Sequence, residues 1–111
     1  MTYSNPLHGH PDAERLRKDA GAYVRALREA RDLTQRELGN RIGVGPGMIS
    51  QVENGAHRLP PERIIAWAHA VQTDSVAFAQ QLMSYYDPHT FKLLFGPKET
   101  GTSAAEQERG Q

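Results

Sequence analysis

Cysteine is absent from this 111-residue sequence. Its absence excludes disulfides, thiolate metal sites and thiol-based redox sensing. Long apolar runs are missing too, and none approaches the roughly 20 residues needed to span a bilayer. The opening residues, MTYSNPLHGHPD, lack the basic-then-apolar pattern of a secretory signal, so a cytoplasmic location is the expectation. Neither sign of charge is in excess, because 13 Lys and Arg balance 13 Asp and Glu. Catalytic signatures are equally scarce. No nucleophile elbow, phosphate-binding loop or suitably placed carboxylate pair occurs, which argues against an enzyme and gives no reason to expect a cofactor. His8 and His10 stand near Asp12, a grouping read as chance in a flexible leader. His57, His69 and His89 are scattered, so no metal site is expected.

What the sequence does contain is helical grammar. Its length suits one domain with a single core and leaves no room for a separate sensor domain. Residues 1–11 carry Asn5-Pro6, Gly9 and Pro11 as breakers and are expected to form a disordered leader. From Asp12 the pattern changes. Leu16, Ala20, Tyr23, Val24, Leu27 and Ala30 recur at spacings of three and four, predicting a helix that ends near Arg31-Asp32. Thr34-Gln35-Arg36-Glu37 then forms a capping box, with Leu33 and Leu38 at the two positions of a hydrophobic staple. Leu38 and Ile42 give this second helix its buried edge, and Gly43 can take the left-handed conformation that ends it.

The third helix repeats the pattern. Val44 and Ile49 can staple around Gly45 as N-cap, while Pro46 sits at the first helical position, where its missing N–H costs nothing. Ile49 and Val52 face inward, and Asn54-Gly55 stops the helix. Pro60-Pro61 starts a fourth helix with Ile64, Ile65, Trp67, Ala68 and Val71 as its apolar stripe. Asp74 or Thr73 can cap a fifth that carries Val76, Phe78, Ala79, Leu82, Met83 and Tyr86. After the break at Asp87-Pro88, Phe91, Leu94 and Phe95 share one face of a last short helix, closed by Gly96. The polar tail, residues 96–111, is expected to be disordered. Organised this way, residues 12–95 form the domain and residues 75–95 its C-terminal helical extension. Between Glu14 and Leu59 nine basic residues face six acidic ones, an excess of three. That suits contact with phosphate, though many solvated helices show as much.

Two short helices joined by a glycine turn, over residues 34–54, are the sequence form of a helix-turn-helix. Residues 22–76 resemble the five-helix DNA-binding domain of the lambda-repressor-like family, also called the Cro or xenobiotic-response-element type. The resemblance rests on the Arg28 region, Leu33-Thr34-Gln35, Glu37-Leu38, Ile42-Gly43-Val44, Ile49-Ser50, Glu53-Asn54-Gly55 and the Pro-then-apolar fourth helix. It implies an all-α, five-helix lambda-repressor-like fold with a short additional C-terminal helix. The function it implies is a sequence-specific transcription regulator, above all a dimeric repressor of an inverted-repeat operator. With no second domain for a metabolite, control by abundance or by a partner is the expectation.

Residue by residue, the resemblance makes Gln35 a phosphate ligand that braces the reading helix, although an ordinary exposed first-turn residue reads the same way. Arg36, Asn54, Gly55 and Arg58 are the other phosphate candidates, with a solvated loop arginine as the alternative reading of Arg58. Arg28 and Glu53 would form a structural salt bridge between the first and third helices. Base contact falls to Met48, Ser50 and Gln51, with Gly47 allowing close approach. Here the sequence departs from the family, because Pro46 and Gly47 stand where reading side chains are common. That bare start, with the neutral charge, motivates an alternative: an antitoxin-like or antiactivator module that binds a protein through its helix-turn-helix surface or C-terminal helices. Tyr85, Tyr86, Phe91, Leu94 and Phe95 exceed what a five-helix core needs. They are either extra core or the interface of a homodimer.

Overall fold

Local capping chemistry sets most of the helix boundaries. The computed structural model describes residues 12–97. The expected leader, its histidine pair and all but the first two residues of the expected tail lie outside these. The order is α1 (Ala13–Ala30), α2 (Gln35–Ile42), α3 (Pro46–Glu53), α4 (Ile64–Ala70), α5 (Ser75–Tyr86) and α6 (Pro88–Phe95), with a 3-10 turn at Pro61–Arg63 leading into α4. The described residues are therefore all-helical. At the start of α2 the Thr34 hydroxyl accepts the Glu37 N–H (3.0 Å) and the Glu37 carboxylate accepts the Thr34 N–H (2.8 Å). Hydrogen bonding to the carboxylate, first from the Thr34 backbone N–H and then from the Thr34 side chain, holds the Glu37 carboxyl below its usual range. Asp74 caps α5 through Ala77 N–H (2.8 Å), and Asp87 caps α6 through Thr90 N–H (3.2 Å).

Helix ends are as well defined as the starts. α1, α2, α3 and α4 each stop at a left-handed residue: Asp32 (φ 56°), Gly43 (φ 81°), Gly55 (φ 82°) and Gln72 (φ 57°). Behind Gln72 the carbonyls of Val71 and Gln72 accept bonds from Arg31 (3.1 and 3.2 Å), and that of Ala70 accepts one from Arg41 (3.4 Å). A non-glycine residue in this region costs about 1–2 kcal/mol. Two cations on the negative end of α4 offset part of that cost.

The core is one cluster built from every helix except α6. Val24, Leu38, Ile49, Val52, Trp67, Val71, Phe78 and Leu82 are its most buried large side chains. α1 is the central strut and packs on both α3 and α5, while α2 packs on α3 and α4. Gly21 allows the closest of these approaches. A Cβ there would overlap the carbonyl groups of Val52 and Glu53 on α3.

Three expectations of burial need correction. Ala30 is exposed at the end of α1. Ile65 and Val76, each placed in an apolar stripe, are both 63% exposed. α4 and α5 pack on the core along a narrower face than their apolar composition suggests, and the surplus turns outward.

Candidate nucleic-acid interface

α3 is held by a buried ionic cluster. Glu53, its last residue, receives Arg28 of α1 in a two-pronged pair, Nε at 2.7 Å and Nη2 at 3.0 Å. Their side chains are 3% and 9% exposed, so both charges are largely removed from water. Arg28 also donates to the Leu33 carbonyl (2.6 Å), and the bond to Glu53 raises its guanidinium pKa above the ordinary value. Gln35 of α2 joins through its amide nitrogen, 3.1 Å from Glu53. One carboxylate thus ties three helices together. Gln35, read from the sequence as an exposed residue, is half-buried and leaves one amide proton and its carbonyl for an outside partner.

The opposite face of α3 is open. Ile49, Val52 and Glu53 point inward, whereas Gly47 and Gln51 are exposed and Met48 and Ser50 half-exposed. Gly45 caps the helix in extended backbone and Pro46 begins it. A Cβ on Gly47 would meet none of the described residues within 4 Å, so their packing does not impose the bare start of α3.

The phosphate candidates behave differently from one another. Arg36 is exposed and makes no ion pair among the described residues. Arg58 is half-buried, with its guanidinium carbon 5.0 Å from the Tyr86 ring centroid in a cation–π arrangement. Asn54 and Gly55 do not present their amides as expected. Asn54 N–H bonds the Ser50 carbonyl (2.9 Å) and Gly55 N–H that of Val52 (3.2 Å). The Asn54 side chain accepts from Ala56 N–H (2.9 Å), and Gly55 is buried beneath Lys18. A helix that closes on a left-handed glycine uses those amides on its own last carbonyls.

Much of the basic excess is also used within the fold. Arg41 reaches the last carbonyl of α4, Arg31 those of the two residues after it, and Arg17 that of Gly55. Arg15, Lys18 and Arg25 lie in exposed pairs with Asp19, Glu14 and Glu29 at i,i+4 spacing.

Of the interface candidates, Tyr86 is a correction. It is 5% exposed, its hydroxyl accepts Leu59 N–H at 3.0 Å, and burial raises its phenol pKa. It therefore belongs to the core. Tyr85 is half-buried against Tyr23, with ring centroids 6.1 Å apart. Phe91 packs on Phe95 at 5.4 Å, while Leu94 and Phe95 are 59% and 47% exposed. Sequence reasoning missed Leu93, Ile65 and Val76, which are exposed as well. Ile64, Ile65, Val76, Ala79, Met83 and Phe95 line an apolar groove between α4, α5 and α6.

A recognition helix with a free outer face, locked from behind to two supporting helices, defines a helix-turn-helix module. A sequence profile described as a helix-turn-helix domain matches residues 19–81, more than half of the chain. The chain belongs to this helix-turn-helix family, in its lambda-repressor-like, xenobiotic-response-element form. It is similar to a crystal structure of the clp gene regulator ClgR from Corynebacterium glutamicum, at 28% identity and TM-score 0.54 over 62% of this chain and 90% of that one. A second structure of that regulator shares the fold at 23% identity and TM-score 0.51, over 74% and 96% of the two chains. No curated protein matches the chain.

Proposed function

We propose that this protein is a sequence-specific DNA-binding transcription regulator that acts as a homodimeric repressor on an inverted-repeat operator. The observation that carries the reading is the outer face of α3, accessible at Gly47, Met48, Ser50 and Gln51 and fixed from behind by Arg28, Glu53 and Gln35. Its likeness to a protein described as a gene regulator supports it. In this reading Gln51 pairs with adenine, Met48 packs on a thymine methyl and Ser50 reaches a base or phosphate. Gln35, Arg36 and Arg58 supply backbone contacts. Two α3 helices enter successive major grooves about 34 Å apart. The exposed residues of α6 with Ile65 and Val76 form the dimer face.

A gel shift on the gene's own promoter over a salt series, with the size of the protein measured in solution, tests this directly. No complex at low salt would end the DNA reading, and a monomer at micromolar concentration would end the dimeric one. Gln51→Ala should lose about 1–3 kcal/mol at one base position. Unchanged preference at every position would remove Gln51 as a reader. Gly47→Ala should stabilise the helix by about 0.5–1 kcal/mol yet weaken DNA binding, because the added methyl holds α3 away from the groove. Equal or tighter binding by that variant would show that the bare start serves no close approach.

The apolar groove also supports a second reading, in which a regulatory protein docks on α4–α6. An adjacent toxin or activator gene would favour it, whereas a divergent promoter with an inverted repeat favours repression.

A further inference from the structure

α1 begins at Ala13, six residues before the segment matched by the helix-turn-helix profile. That additional stretch is not idle. It runs across the turn that closes α3, where Lys18 covers Gly55 and Arg17 Nε donates to the Gly55 carbonyl at 3.1 Å. Arg17 then lines a shallow cleft of about 340 Å³ together with Ala56, His57 and Arg58. Among the described residues no acidic side chain lines it. Three other cations of α1, namely Arg15, Lys18 and Arg25, have exposed carboxylate partners one turn away. Arg17 has no carboxylate partner among the described residues.

The cations in this cleft are positioned before any ligand arrives. The bond to Gly55 occupies one of the five N–H donors of Arg17, leaving four. Arg58 is steadied by the ring of Tyr86, itself anchored on Leu59 N–H. A planar guanidinium held by one edge presents the rest of its fork to a tetrahedral oxyanion, the geometry that favours arginine over lysine at phosphates. Location narrows the oxyanion further. Eight residues of α3 rise about 12 Å, close to the width of about 12 Å of the major groove. A turn at the end of a reading helix therefore reaches the wall of the groove, where the phosphates run.

We propose that Arg17, with His57 and Arg58, binds a DNA phosphodiester, so that the stretch of α1 preceding the family-matched segment adds a backbone contact of its own. The proposal rests on the reading that this chain binds DNA. It extends the footprint from the helix-turn-helix to the start of α1.

The test is the salt dependence of binding to a 30-base-pair duplex of mixed sequence, which counts phosphate contacts without knowledge of the operator. Wild type, Arg17→Gln and Arg17→Lys are compared. Arg17→Gln should flatten the slope of log K against log salt by about 0.9. Its deficit relative to wild type should then shrink about 3.5-fold between 50 and 200 mM salt. Arg17→Lys keeps the charge, removes the forked geometry and should restore most of the slope. A variant that merely loosened the α3 turn would lower the active fraction, which shifts the affinity but leaves the slope alone. An unchanged slope for Arg17→Gln, or no recovery with Arg17→Lys, overturns the assignment while the DNA reading stands. Failure of the wild type to bind the duplex at low salt overturns both.

Discussion

Glu53→Ala is expected to cost about 3–5 kcal/mol of folding stability, the usual penalty for stranding a buried charge. Arg28, its side chain 9% exposed, would keep one bond to the Leu33 carbonyl and lose both bonds to the carboxylate. Domains of this size have only about 5–15 kcal/mol in total. The variant should therefore show a large fall in urea midpoint with an unchanged m-value. The double variant Arg28→Leu, Glu53→Leu is the informative partner. With neither charge buried, most of the stability should return. Gln35 would still lack its acceptor on α3, so DNA binding should not recover with it. If both variants unfold alike, the cluster contributes packing and not charge pairing.

Gly21→Ala is the second large effect, and its sign is the point. Helix propensity alone would favour alanine by about 1 kcal/mol in the middle of α1. The added Cβ, however, would overlap the backbone carbonyls of Val52 and Glu53. Backbone cannot rotate away as a side chain can, so α1 and α3 must separate. Overpacking of this kind costs about 1–3 kcal/mol and can cost more. A thermal melt settles it: a lower midpoint is expected, by roughly 4–8 °C per kcal/mol for a domain of this size. A raised midpoint would mean that α1 and α3 have room for a methyl group between them. The same displacement moves the end of α3 that carries Glu53, so DNA binding should fall along with stability.

The scaffold was legible in the sequence because its signals are local. The Thr34–Glu37 box, Pro46 after Gly45, and the left-handed glycines at 43 and 55 each act within one helical turn, and each is present. Tertiary use of side chains was not legible. Tyr86 looked like surplus apolar surface until its hydroxyl met Leu59, 27 residues away in sequence. The arginines looked like a basic face, yet Arg31 and Arg41 end on carbonyls where α4 closes, some 30 to 40 positions further along. Gln72 carries no mark of the left-handed conformation it adopts, because the cations that compensate it come from α1 and α2. Asn54-Gly55 marked the end of α3, but whether the amides stay free depends on which carbonyls the closing turn reaches.

The bare start of α3 has a consequence at the scale of a genome. On the proposed reading each protomer brings at most three side chains, Met48, Gln51 and, where it meets a base, Ser50, to base edges, or about one base pair apiece. Two protomers then fix about six base pairs, a pattern that recurs by chance roughly once in 4,000 positions, against about 10⁶–10⁹ competing sites. Direct contacts alone leave hundreds of decoys or more. Half-site spacing and the flexibility of the untouched steps between them must carry the remaining information. Operators for this protein should therefore tolerate exchange of a contacted base better than insertion of one base pair at their centre.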